Sequence, residues 1–208
     1  MPHLERYGPP HRKRADAAVR RQAGRMISDW LKRALGRKPK GIPIKPQPAK
    51  LLVTADALDD LMAALVRSQQ QRHEGIAYLL GRTDGAVTLA IAVFEPHART
   101  TAGSFHVPPR AMISCMQTAA QFELQVVAQV HTHPSQAYHS DGDIEGAKIR
   151  YPGYASLVLP EYGRHLPSLA GAAAYLWQKP HGWIDLSDDD IIIIPASGPW
   201  TSSSFTTN

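Results

Sequence analysis

An apolar, β-branched run, Leu124-Gln125-Val126-Val127-Ala128-Gln129-Val130, leads directly into His131-Thr132-His133-Pro134. Its length and composition predict a buried strand that Pro134 must end, because proline lacks an N–H and fixes its own φ. Side chains alternate along a strand, so two histidines two residues apart face the same side and can both reach one ion. A strand end is a stiff mount for such ligands. Beyond it, Ser140 is placed to cap a helix through Asp141–Ala147, and the start of that helix would hold Asp143 near the histidines. Two imidazoles, one carboxylate and an open fourth position for water form the ligand set of a catalytic rather than a structural zinc.

The elements around this segment alternate in type. Leu51-Leu52-Val53 reads as a short strand, and Thr54 or Asp56 can cap a helix on which Ala57, Leu58, Leu61, Met62, Leu65 and Val66 recur at helical spacing. Arg72–Arg82 reads as a strand that ends in a turn at Asp84-Gly85, with Ala86–Phe94 as its hairpin partner. Glu74 stands out here, because an acid at the mouth of an apolar strand needs a partner or a task. His97, Arg99 and His106 fall in a turn-rich segment and read as solvated or locally bonded. Pro109–Phe122 predicts a helix with proline in its first turn and Met112, Ile113, Met116, Ala119 and Ala120 on its buried face; Cys115 would be a small filler within it. Tyr154–Leu159, Ala173–Lys179, Trp183–Leu186 and Ile191–Ile194 predict four more strands. Strands and helices that interleave without a Rossmann or P-loop fingerprint argue for an α/β sandwich with one mixed sheet.

The order H-T-H-P, five residues, Ser140, two residues, Asp143, with Glu74-Gly75 upstream, resembles the JAMM (MPN-plus) metalloprotease motif. The commonest eukaryotic spacing has one residue more between proline and serine; the shorter form resembles bacterial members. The resemblance implies an MPN/JAB, cytidine-deaminase-like fold: a three-layer-like α-β-α sandwich around a mixed, largely antiparallel sheet. It implies one Zn2+ per chain held by His131, His133 and Asp143, and Glu74 as the group that takes a proton from water and returns it to the leaving nitrogen. Ser140 would help stabilise the oxyanion, with Thr132, Pro134 and His139 lying close by without ligating. The implied activity is that of an isopeptidase that removes a ubiquitin-like protein from conjugates or processes its precursor. The implied partners are that protein, its conjugates and the activating and conjugating enzymes of the same system.

Charge divides the chain in two. Residues 1–50 carry 14 of the 23 Lys and Arg against three of the 18 acids, a net of +11, which leaves a net of −6 for residues 51–208. Arg12–Leu35 has the composition of a helix with a partial apolar stripe, and residues 36–48 read as a Pro-rich linker. The expected organisation is therefore a basic arm over residues 1–49, a catalytic domain over 50–195 and a flexible tail over 196–208. A basic arm allows a docked or solvated helix, an acidic protein partner, or nucleic acid. Two other functions stay open on this ground: a metal-free MPN scaffold, and a nucleic-acid-associated protein acting through its arm. The single cysteine cannot make a disulfide within the chain. No apolar run reaches membrane-spanning length and the charged N-terminus has no signal-like core, so a cytoplasmic setting away from the membrane is the expectation.

Overall fold

The computed structural model describes residues 45–196. The expected arm helix and most of the linker, and the tail from residue 197, lie outside the described residues. Among the described residues, ten strands and three α-helices follow one another: β1 (Lys50–Thr54), α1 (Ala55–Gln71), β2 (Ile76–Thr83), β3 (Val87–Phe94), β4 (Arg99–Thr101), β5 (Ser104–His106), α2 (Pro109–Gln121), β6 (Gln125–Thr132), α3 (Asp141–Gly146), β7 (Ala155–Leu159), β8 (Ala173–Gln178), β9 (Gly182–Leu186) and β10 (Ile191–Ile194). Eight of the strands form one sheet in the order β10-β1-β3-β2-β6-β7-β8-β9, while β4 and β5 pair as a separate hairpin. The β10/β1, β1/β3 and β6/β7 pairs are parallel and the other four are antiparallel. This is the mixed sheet of an α/β fold.

Each face of the sheet carries its own core. On one face α1 packs Ala57, Leu58, Leu61 and Leu65 onto Leu51, Val53, Leu79, Val130 and Leu157. Thr54 begins that helix, accepting a hydrogen bond from the Ala57 N–H at 3.2 Å, as its capping position requires. On the other face α2 sets Cys115 and Ala119 against Ile76, Tyr78, Leu80 and Val126. Because β2 alternates strictly, Ala77 and Leu79 belong to the first core and Ile76, Tyr78 and Leu80 to the second. Central strands buried on both faces read as continuous apolar runs, which is why β6 was conspicuous in the sequence. Among the described residues no helix is long and apolar enough to cross a membrane.

The helix faces differ from their expected composition in two places. Met62 and Val66 of α1 are 42% and 43% exposed, so the apolar spacing there is wider than the stripe that packs. On α2, Ala111, Cys115 and Ala119 are the buried line, whereas Ile113 and Met116 are half exposed. Those three positions are four apart and all small, so the helix can sit close to the sheet. Burial pushes the Cys115 thiol pKa up to about 12, which suits a packing role. At the start of the body, Gln47 exchanges hydrogen bonds of 3.0 and 2.9 Å with the Gln178 side chain and Ala49 is buried.

Candidate metal centre

Strands β2 and β6 build the site between them. They are antiparallel neighbours with Ile76 opposite His131, so the start of β2 lies beside the end of β6. Glu74, two residues ahead of Ile76, is thereby brought to the two histidines across almost 60 residues of chain. Two backbone ties fix it. The Glu74 N–H donates to the Thr101 carbonyl at 2.7 Å, which binds it to the β4–β5 hairpin. The next N–H, that of Gly75, donates to Thr132 Oγ1 at 2.8 Å, while the Thr132 N–H donates to the Gly75 carbonyl at 3.1 Å. Gly75 also lies close under α1: a β-carbon there would stand 2.7 Å from Leu65 Cδ2, so a larger residue would require the α1 side chains above it to shift. Thr132 and Glu74 are both buried.

The histidines occupy the face of β6 opposite Thr132. Strand β6 ends at Thr132, and His133 continues the extended path by donating its N–H to the Leu159 carbonyl of β7 at 2.9 Å. Its own carbonyl accepts from the Tyr162 N–H at 2.8 Å. Their ring centroids are 5.1 Å apart; Phe105 of β5 lies 5.3 Å from His131, and Tyr138 meets His133 edge-on at 4.9 Å. Pro134 follows at the surface and lines the cleft.

Asp143 arrives from α3. Ser140 caps this helix reciprocally: its Oγ accepts from the Asp143 N–H at 3.2 Å, and Asp143 Oδ2 accepts from the Ser140 N–H at 2.9 Å. The Ser140 hydroxyl also bonds Oδ2, at 2.6 Å. With the carboxylate so held, Oδ1 lies 3.1 Å from His131 Nε2 and Oδ2 3.6 Å from His133 Nε2. One donor atom from each of the three residues falls within 4.8 Å of the others.

Two observations test whether a metal fits. Donors bonded at 2.0–2.1 Å to one tetrahedral ion stand about 3.3 Å from each other, and the two contacts to Asp143 straddle that value. His131 is fully buried, its Nδ1 has no hydrogen-bond partner among the described residues, and its Nε2 faces only the Asp143 carboxylate. A buried imidazole left so is costly, and an ion at Nε2 would remove part of the cost. The donor set of two nitrogens and one oxygen suits zinc.

The electrostatics follow from burial and proximity. Burial pushes the Asp143 carboxyl up, but the two histidines and the Ser140 hydroxyl outweigh it and hold the group well below the usual carboxylate range. Bonding to Asp143 raises His133. Burial raises Glu74, with His133 opposing and Asp143 adding to the rise. Glu74, His133, Ser140 and Asp143 open together onto a cleft of about 680 Å³, with Phe105 and Tyr138 among its walls.

His139 takes another direction. Its ring stacks on Tyr175 at 4.2 Å and meets Trp183 edge-on at 5.0 Å, and burial lowers its pKa to about 4. His97 is exposed at the surface, and His106 lies on β5 at the cleft. The β4–β5 hairpin is the part of the site that the turn-rich reading missed. Its strands are three residues each, polar, and without alternation long enough to count; the only sequence sign of a site wall was Phe105 beyond the Ala102-Gly103 turn.

Comparison with known proteins points the same way as the geometry. A protein of Sinorhizobium fredii named "Probable metalloprotease y4jG" is 32% identical over 132 residues, covering 62% of this chain and 82% of that protein. A Desulfitobacterium hafniense protein of known solution structure superposes with a TM-score of 0.55 over 70% of this chain and 94% of its own, at 17% identity, a likeness of fold. Residues 55–165 match the family described as prokaryotic homologs of the JAB domain, and that span runs from the first residue of α1 past Glu74, both histidines, Ser140 and Asp143. The chain belongs to this prokaryotic JAB family, a branch of the JAMM/MPN group.

Proposed function

We propose that this protein is a zinc-dependent peptidase or isopeptidase that releases a ubiquitin-like protein by hydrolysis at its C-terminus. The hydrolytic class rests on the family and on the metalloprotease relative. The observation that carries the chemistry is the meeting in one cleft of a buried carboxylate, Glu74, with His133 and Asp143, which share a donor set with His131.

His131, His133 and Asp143 would hold the zinc, whose contribution is to polarise the scissile carbonyl and acidify the attacking water. Glu74 takes the proton of that water as its oxygen bonds to the carbonyl carbon, then delivers it to the nitrogen as the C–N bond breaks, leaving a carboxylate and an amine. A glutamate raised by burial is a stronger base toward that water than an exposed one. Ser140 supplies a hydroxyl at the rim. Here it donates to Asp143 Oδ2, so stabilising a substrate oxyanion requires it to exchange that bond. Phe105, Tyr138, Gly103, Gly142 and Gly146 are among the residues lining the cleft, which favours an extended tail with small residues at the scissile bond.

The test is cleavage by full-length protein of two fusions of a ubiquitin-like protein, one linear and one lysine-linked, with zinc present and after chelation. Cleavage after the ubiquitin-like C-terminus, lost on chelation and restored by zinc, is expected. Equal cleavage after chelation, or none with zinc bound, overturns the reading. A protein that takes up no zinc is the metal-free scaffold instead. Steep salt dependence of DNA binding that is lost on removal of residues 1–49 favours the nucleic-acid reading of the arm.

A further inference from the structure

The third donor of the proposed metal centre is mounted unlike the other two. Helix α3 has six residues and none is buried, so it has no core face to fix it. So short a helix is marginal by itself. Its capping box orients Asp143 relative to Ser140 but says nothing of where the helix lies relative to β6.

Both of its flanks end on one aromatic shelf. Ahead of the helix, the His139 ring stacks on Tyr175 with the planes 11° apart and meets Trp183 at 82°, and the His139 N–H donates to Tyr175 Oη at 3.0 Å. Behind it, Arg150 Nη2 donates to the carbonyls of Ile144 and Glu145, the latter at 3.2 Å, while the guanidinium lies 5.6 Å from the centre of the Trp177 ring. Trp177 and Trp183 are cross-strand partners on β8 and β9 with their rings 5.4 Å apart, and both contribute to the core on the α2 face. Strand β8 pairs with β7 and β7 with β6, so the shelf is tied through the sheet to His131. The pattern H-T-H-P, Ser140, Asp143 contains neither strap.

We infer that the β8–β9 shelf of Tyr175, Trp177 and Trp183 positions Asp143 for metal binding, with His139 and Arg150 as the straps that seat α3 on it. This rests on the metal centre proposed above but not on its substrate. His139 and Arg150 are positioning residues: they act through the placement of Asp143. Because stacking and edge contact come from a flat ring, phenylalanine at position 139 keeps them and alanine does not.

The experiment measures Zn2+ affinity of the full-length protein by competition with a chromophoric chelator, together with the melting temperature of the zinc-free protein, for wild type, His139→Ala, His139→Phe and Arg150→Met. Groups that orient metal ligands are worth about 10–100-fold in affinity, so His139→Ala and Arg150→Met should each weaken zinc binding about tenfold or more. The zinc-free melting temperature should stay near that of wild type, and His139→Phe should restore most of the affinity. Unchanged zinc affinity in His139→Ala, or an equal loss in His139→Phe, overturns the inference. A wild type that binds no zinc removes the metal centre itself and the inference with it, whereas a zinc-binding wild type that cleaves no ubiquitin-like fusion overturns only the substrate reading.

Discussion

His131 and Asp143 supply donors to one site from opposite structural situations. His131 is part of a central strand, fully buried, with sheet neighbours on both sides. Asp143 projects from a short surface helix that contributes no residue to the core. The difference separates stability from function. The histidine side of the site belongs to the sheet core, whereas the aspartate side adds no buried residue to it.

Breaking the comparison at its weaker end gives the largest effect. Asp143→Ala should abolish zinc retention and lower cleavage by at least about 10³-fold, since a metal Lewis acid supplies several kcal/mol of transition-state stabilisation. Thermal unfolding of the zinc-free variant should match that of zinc-free wild type; a markedly lower melting point would place α3 in the folding core. The converse variant is Leu61→Ala, in the core beneath α1. It should cost about 2–5 kcal/mol in denaturant unfolding while leaving zinc stoichiometry intact in the folded fraction.

A finer cut lies between the two ends. Thr132→Val removes the hydroxyl that accepts the Gly75 N–H and leaves a buried donor unpaired, at a cost of about 1–3 kcal/mol. Because that bond places Glu74, kcat should fall about 10–100-fold with zinc retained and KM little changed, and Thr132→Ser should recover most of the loss. An equal fall for Ser and Val would assign Thr132 to packing alone. The smallest effect is on pH. Burial raises Glu74, and a base must be ionised to accept a proton, so activity should be lost as pH falls through a midpoint above the usual glutamate value of about 4.3. An acid limb of kcat/KM at or below that value would contradict the burial argument.

How much of this was legible in the sequence divides along the same line. Strand β6 could be read because a strand buried on both faces is apolar throughout, and the histidines because period two and a proline stop fix their direction. Asp143 could be read from the Ser140 cap and from the spacing pattern, but nothing in Asp141–Gly146 shows how a helix without a core face is held. The straps were not legible, since His139 and Arg150 meet Tyr175, Trp177 and Trp183 across 25 residues or more of chain. The buried face of α2 was misjudged for another reason. Apolar size pointed to Ile113 and Met116, which are half exposed; Ala119 and Cys115 are buried as expected, and close approach to the sheet adds Ala111 to their line. The β4–β5 hairpin depends on its tie to Glu74 and on packing at the cleft, and polar three-residue strands carry no periodic signal.

The most direct measurement is zinc content set beside turnover for wild type and Glu74→Gln. Glutamine keeps the shape of the side chain but cannot shuttle a proton. About one zinc per chain in both proteins, with cleavage by the wild type alone, is the predicted result. A Glu74→Gln protein that turns over as wild type does, or that loses its zinc, would contradict the role given to Glu74 and with it the proposed chemistry.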